Sequence, residues 1–136
     1  MLWEKVIFAA YGFNESFAGQ DGLEKFRISL SGYLKSLQAK SFNGTNGPQI
    51  VLVSPIANEN ITGVPAADLN NKRIKLYLET MRSVAKEQGV GFVDVFADTQ
   101  AAMKNPGSDL TLNGCHLTEE GNAVFAKSLY EGTFLE

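Results

Sequence analysis

Short continuous apolar runs alternate along this chain with stretches in which apolar residues recur every three or four positions. Val6-Ile7-Phe8-Ala9-Ala10, Ile50-Val51-Leu52-Val53 and Phe92-Val93-Asp94-Val95-Phe96 have the length of strands. The first two lack the apolar–polar alternation of a half-solvated strand, which predicts parallel strands covered on both faces. Between them, Leu23, Phe26, Leu30, Tyr33 and Leu37 form one helical stripe, ending before the turn-rich Asn43-Gly44-Thr45-Asn46-Gly47-Pro48. Ile74, Tyr77, Met81 and Val84 or Ala85 form a second stripe, closed by Gly89. A last helix is predicted from Thr118, an N-cap residue followed by the acidic Glu119 and Glu120, through Val124, Phe125 and Leu129. Ala97 to Lys104 adds a short one. Strand, helix, strand, helix, strand, helix implies right-handed crossovers, a parallel sheet and the α/β class.

The 136 residues, 44% of them hydrophobic, suffice for one domain, residues 1–136, that buries roughly two-thirds of its unfolded surface. A net charge of −3 with dispersed Lys and Arg gives no basic field, so a nucleic-acid partner is not expected. The longest apolar stretches fall far short of the roughly 20 residues that span a bilayer, and neither a membrane partner nor an export signal is expected. One cysteine, Cys115, excludes an internal disulfide and leaves too few thiols for structural zinc. No metal or cofactor is expected.

In sheets of this kind ligands bind beyond the carboxyl ends of the strands, where the polar residues of interest fall. Asn14 follows the first strand, Ser54 to Asn60 the second and Asp98 the third; His116, the only histidine, precedes the last helix. Each has an ordinary explanation when taken singly. Gly12 and Asn14 suit a strand-to-helix turn, a histidine before a helix is commonly a surface or capping residue, and Ser54-Pro55 ends a strand because proline cannot donate in a ladder.

Taken in order, the segment Val6 to Ala18, the strand end Leu52-Val53-Ser54-Pro55-Ile56, and Asn113-Gly114-Cys115-His116-Leu117-Thr118 followed by Gly121 resemble the later blocks of the SGNH hydrolases, the GDSL esterase and acylhydrolase family. The resemblance covers nearly the whole chain through short motifs. It implies a three-layer, flavodoxin-like parallel sheet, present here as an incomplete SGNH fold with three strands. It also implies carboxylic-ester hydrolysis of a small acyl ester by serine-type acyl transfer. Gly12-Phe13-Asn14-Glu15 matches the family's Gly-x-Asn-Asp block with Glu for Asp, so Asn14 inherits the oxyanion role and His116 that of the base.

Two departures stand beside the matches. Where the family has an Asp three residues before the His, this chain has Asn113, with Asp109 as a nearby substitute. The family's Gly-Asp-Ser nucleophile block and its oxyanion Gly belong upstream of Met1-Leu2-Trp3-Glu4-Lys5, which leads straight into what resembles the third strand. The chain therefore reads as the C-terminal part of such a domain, a truncated fragment or a natural remnant. Ser16, Ser54 and Cys115 are the internal candidates for a replacement nucleophile. Ser54 is the best positioned, and Cys115 is expected to point away from His116. The alternative function is an inactive SGNH-like module for binding or assembly. Without its neighbouring strand, Val6 to Ala10 becomes an exposed edge, which predicts a homo-oligomer: a symmetric dimer with a continuous six-stranded sheet, or else strand exchange.

Overall fold

The computed structural model describes residues 5–42 and 44–135. Met1 to Glu4, read as the lead into the first strand, and Asn43 of the predicted turn lie outside the described residues. Strands β1 (Val6–Ala10), β2 (Gln49–Val53) and β3 (Gly91–Val93) form a parallel sheet in the order β1-β2-β3. The register runs from Val6 opposite Gln49 to Ala10 opposite Val53, and from Val51 opposite Gly91 to Val53 opposite Val93. After β1 come a one-turn helix α1 (Phe13–Ser16), a 3₁₀ turn at Gly19–Gly22 and helix α2 (Leu23–Gln38). Helix α3 (Ala67–Gln88) joins β2 to β3, and α4 (Phe96–Met103) and α5 (Glu119–Phe134) follow.

The apolar stripes place the helices on opposite faces of the sheet. Phe26, Leu30, Leu34 and Leu37 of α2 and Tyr77, Met81, Val84 and Ala85 of α3 bury against Ala9, Ile50 and Leu52. On the other face, Phe125 and Leu129 of α5 pack on Val51, Val53, Val93 and Val95. The result is a three-layer α/β sandwich built on three parallel strands. Leu34, not Tyr33, completes the α2 stripe; Tyr33 stays 39% exposed and meets the Tyr11 ring edge-on at 5.3 Å. Gly89 ends α3 at φ 67°, a left-handed conformation that glycine adopts without a Cβ penalty. Thr118 caps α5, its Oγ1 accepting from the Gly121 N–H at 3.2 Å.

Two strand expectations are corrected. The third strand stops at Val93 because polar side chains claim the next amides. Ser54 Oγ accepts from the Val95 and Phe96 N–H groups, and the Asp94 carboxylate accepts from those of Phe96 and Ala97, which starts α4. The first strand is not covered on both faces. Ile7 and Ala9 face the α2–α3 core, whereas Val6 and Phe8 are 46% and 45% exposed. Helix α5 packs over β2 and β3, where a Cβ on Gly132 would come within 2.6 Å of Val93, and its contacts leave this side of β1 open.

Candidate active site

Every candidate loop emerges at the carboxyl edge of the sheet. The β1–α1 turn is built on Gly12, at φ 100°, whose N–H donates to Glu15 Oε2 at 2.9 Å. A Cβ there would lie 3.3 Å from Pro55, so this turn abuts the loop leaving β2. Asn14 sits exposed on the single turn that follows, with its carbonyl accepting from the Phe17 N–H.

The His116 loop is closed on itself and then bolted to the β2 loop. Thr111 bridges Leu117, Leu112 N–H donates to the His116 carbonyl at 2.7 Å, and Thr118 N–H donates to the Leu110 carbonyl at 2.9 Å. At the apex Gly114 adopts φ 94°, and a Cβ would meet Asn58 Nδ2 at 2.8 Å. Both facts require glycine. The Gly114 carbonyl accepts from Asn58 Nδ2 at 2.6 Å and from the Glu59 N–H at 3.0 Å. The Glu59 carboxylate in turn accepts from the Thr111 N–H and hydroxyl at 2.9 and 2.7 Å, and the Thr111 hydroxyl accepts from the Gly114 N–H. Asn58 is held from the α3 side: Asn70 donates to its amide oxygen, and Asn71 exchanges hydrogen bonds with its backbone. The sequence marked this Asn58-Glu59-Asn60 run only as polar residues after a strand; its pairing with Thr111 and Gly114 has no local signature.

Asn113 is the side chain that meets the His116 ring at Nδ1. Its Oδ1 accepts from two backbone N–H groups, those of Cys115 at 3.3 Å and His116 at 3.0 Å. That fixes the oxygen, not the NH₂, on this side of the amide. The same Oδ1 lies 3.0 Å from His116 Nδ1, a contact that in the neutral ring favours the proton on Nδ1 and the lone pair on Nε2. Asp109 enters the loop through its backbone carbonyl, which accepts from the Thr118 hydroxyl; the group at Nδ1 is Asn113. Cys115 Sγ lies 3.4 Å from Nδ1, toward the ring and not away from it as expected. It sits on the protonated side, away from the nitrogen that can act as base.

Neither serine is presented to this ring as a nucleophile. Ser54 is 3% exposed; its Oγ donates to the Pro55 carbonyl and accepts from Val95 and Phe96 N–H, joining β2 to the start of α4. Ser16 is 2% exposed and donates to the Phe13 carbonyl at 2.6 Å. The Ser54 hydroxyl satisfies the buried Val95 N–H and the Ser16 hydroxyl is engaged by the Phe13 carbonyl, and both serines are buried, which speaks against the preference for Ser54.

Beside the β1–α1 turn lies an open, mainly apolar groove of about 500 Å³ bordered by Tyr11, Tyr33, Tyr77 and Leu30, with Glu15 and Lys25 among its lining residues. The Tyr33 hydrogen bond and then desolvation hold the Tyr11 hydroxyl above its ordinary pKa, and desolvation does the same for Tyr77. At neutral pH both phenols stay uncharged. Among the described residues no three His, Cys, Asp or Glu side chains converge to hold a metal, and no helix is long and apolar enough to cross a membrane.

Solved structures share this fold. A putative GDSL-like lipase from Parabacteroides merdae superposes with a TM-score of 0.76 at 22% identity, covering 96% of this chain and 61% of that one. LAE5, an alpha/beta hydrolase from the metagenome of Lake Arreo, gives 0.72 at 18% identity, covering 95% and 59%. The acetylxylan esterase Axe2 of Geobacillus stearothermophilus gives 0.66 at 14% identity, covering 97% and 60%. The chain thus spans about three-fifths of the length of each, and at these identities the likeness is one of fold. No family model and no curated protein matches the sequence. The three-layer architecture with its parallel sheet is the fold these structures share, and it agrees with the fold that the motif resemblance implies.

Proposed function

We propose that the chain carries the base and oxyanion half of a carboxylic-ester hydrolase site acting on small acyl esters. The observation that supports this reading is the 3.0 Å contact of His116 Nδ1 with an Asn113 oxygen that already accepts from two backbone amides, a contact that in the neutral ring assigns the proton to Nδ1 and the lone pair to Nε2. A general base needs that tautomer, and such a base contributes typically 10²–10⁴-fold. In the proposed reaction Nε2 removes the proton of an attacking hydroxyl. The Asn14 side-chain amide donates to the oxygen on which negative charge develops, a contact of a kind worth about 2.7–4 kcal/mol. The imidazolium then returns the proton to the departing alkoxide. Because Ser16 and Ser54 are buried, the attacking oxygen reaches His116 from outside these two serines.

The test is hydrolysis of p-nitrophenyl acetate by the purified chain beside His116→Ala. The proposal expects a rate at least tenfold above that variant. Equal rates support a second reading, an inactive module for binding or assembly, which the burial of both serines favours.

A further inference from the structure

Asn113 and His116 meet across Gly114, and glycine is the residue type with the most backbone freedom. The Asn113 oxygen lies on one side of Gly114 in the chain, whereas the Cys115 and His116 amides and the His116 ring lie on the other. Their meeting therefore depends on the two dihedral angles of Gly114. Holding both the N–H and the C=O of a residue fixes both angles, and this chain holds each by a separate route. The Gly114 carbonyl accepts from Asn58 Nδ2 at 2.6 Å and from the Glu59 N–H at 3.0 Å. The Gly114 N–H donates to the Thr111 hydroxyl at 3.0 Å, and that hydroxyl donates to Glu59 Oε2 at 2.7 Å.

The second route has a direction. A carboxylate only accepts, so the Thr111 hydroxyl must point its one hydrogen at Glu59 and turn a lone pair to Gly114. Oε2 is held in place for this by the Thr111 N–H, 2.9 Å away. Thr111 is 2% exposed, so bulk water does not compete for its hydroxyl.

We propose that Glu59 is a positioning residue for His116, acting through the Thr111 hydroxyl and Gly114 to set the loop conformation in which the Asn113 oxygen meets Nδ1. Its meaning for catalysis rests on the proposed role of His116 as base, but its effect on the ring is present without any reaction. The bonds from Asn58 and the Glu59 backbone to the Gly114 carbonyl do not need the carboxylate. Removing the carboxylate thus leaves this loop docked on the β2 loop and releases only the N–H side of Gly114. Glutamine in its place keeps one acceptor oxygen for the Thr111 N–H and hydroxyl, and turns its NH₂ toward the Leu110 N–H, the longer contact at 3.4 Å.

Nitrogen-15 NMR of the His116 ring, at a pH where the ring is neutral, tests this beside p-nitrophenyl acetate hydrolysis. The Nδ1–H tautomer should predominate in the unaltered chain, in Glu59→Gln and in Thr111→Ser. In Glu59→Ala and Thr111→Val the ratio of Nδ1–H to Nε2–H should fall at least fivefold, and the double variant should fall no further, because both changes act through one hydroxyl. Where the unaltered chain hydrolyses the ester, kcat should drop at least fivefold in the same two variants with KM within twofold. A ratio that responds in a chain without hydrolysis would remove the base role and leave the positioning role standing. Should Glu59→Ala fail to fold, Thr111→Val decides, since it keeps the carboxylate and its bond from the backbone of residue 111. An unchanged ratio in either folded variant would overturn the proposal, as would an equal fall in Glu59→Gln or a predominant Nε2–H tautomer in the unaltered chain.

Discussion

A neutral amide in place of a carboxylate gives this site an unusual balance. Asn113 orients His116 as a carboxylate would, since the acceptor oxygen is pinned by the Cys115 and His116 amides, yet it adds no charge to hold an imidazolium once formed. Orientation and charge stabilisation are thereby separated in one side chain. Asn113→Asp leaves an acceptor oxygen for both backbone donors while adding the charge. Hydrolysis of p-nitrophenyl acetate should then rise, toward the roughly 10⁴-fold that the reverse change costs a serine-protease triad. An unchanged rate would mean that the imidazolium is not formed in the limiting step. In the sequence His116 stands out as the only histidine, and Asn113 only through the resemblance that places an acid three residues before it. The tautomer was not legible, because it depends on which amides converge on one oxygen.

The elements show where periodicity suffices and where side-chain capping overrides it. The stripes on α2 and α3 and the Thr118 cap locate their helices, since apolar spacing and the cap residue are local signals. The end of β3 is set instead by Ser54, forty-one residues before Val95, and by Asp94, whose carboxylate outcompetes the apolar run Val93 to Phe96. A serine at a strand end reads as a candidate nucleophile until its hydroxyl is seen holding two amides. Ser54→Ala removes that acceptor and leaves the Val95 N–H buried without it, which should cost about 1–3 kcal/mol. Chemical denaturation should show that loss. Ester hydrolysis per folded molecule should stay unchanged, whereas its abolition would restore Ser54 as the nucleophile.

At the scale of the whole molecule, three loops from separate parts of the chain meet along one sheet edge. Gly12 abuts Pro55, and Asn58 and Glu59 grip Gly114 and Thr111, so the β2 loop lies between the Asn14 turn and the His116 loop. Parallel strands open the Asn14 turn and the β2 loop on the same side, and the His116 loop, which joins α4 to α5, is brought there by its bonds to Asn58 and Glu59. Element order made the first two legible and not the third. The exposure of Val6 and Phe8 was not legible, because an apolar run carries no mark of which face goes uncovered. For Asn14 and His116 to address one carbonyl, as proposed, they must lie within about 10 Å of each other. Nitrogen-15 NMR of the Asn14 side-chain amide across the titration of His116 tests this directly. The amide resonance should shift in step with the ring's protonation, and this component should vanish in His116→Ala. A resonance that ignores the ring would place the two residues in separate environments and contradict the shared site.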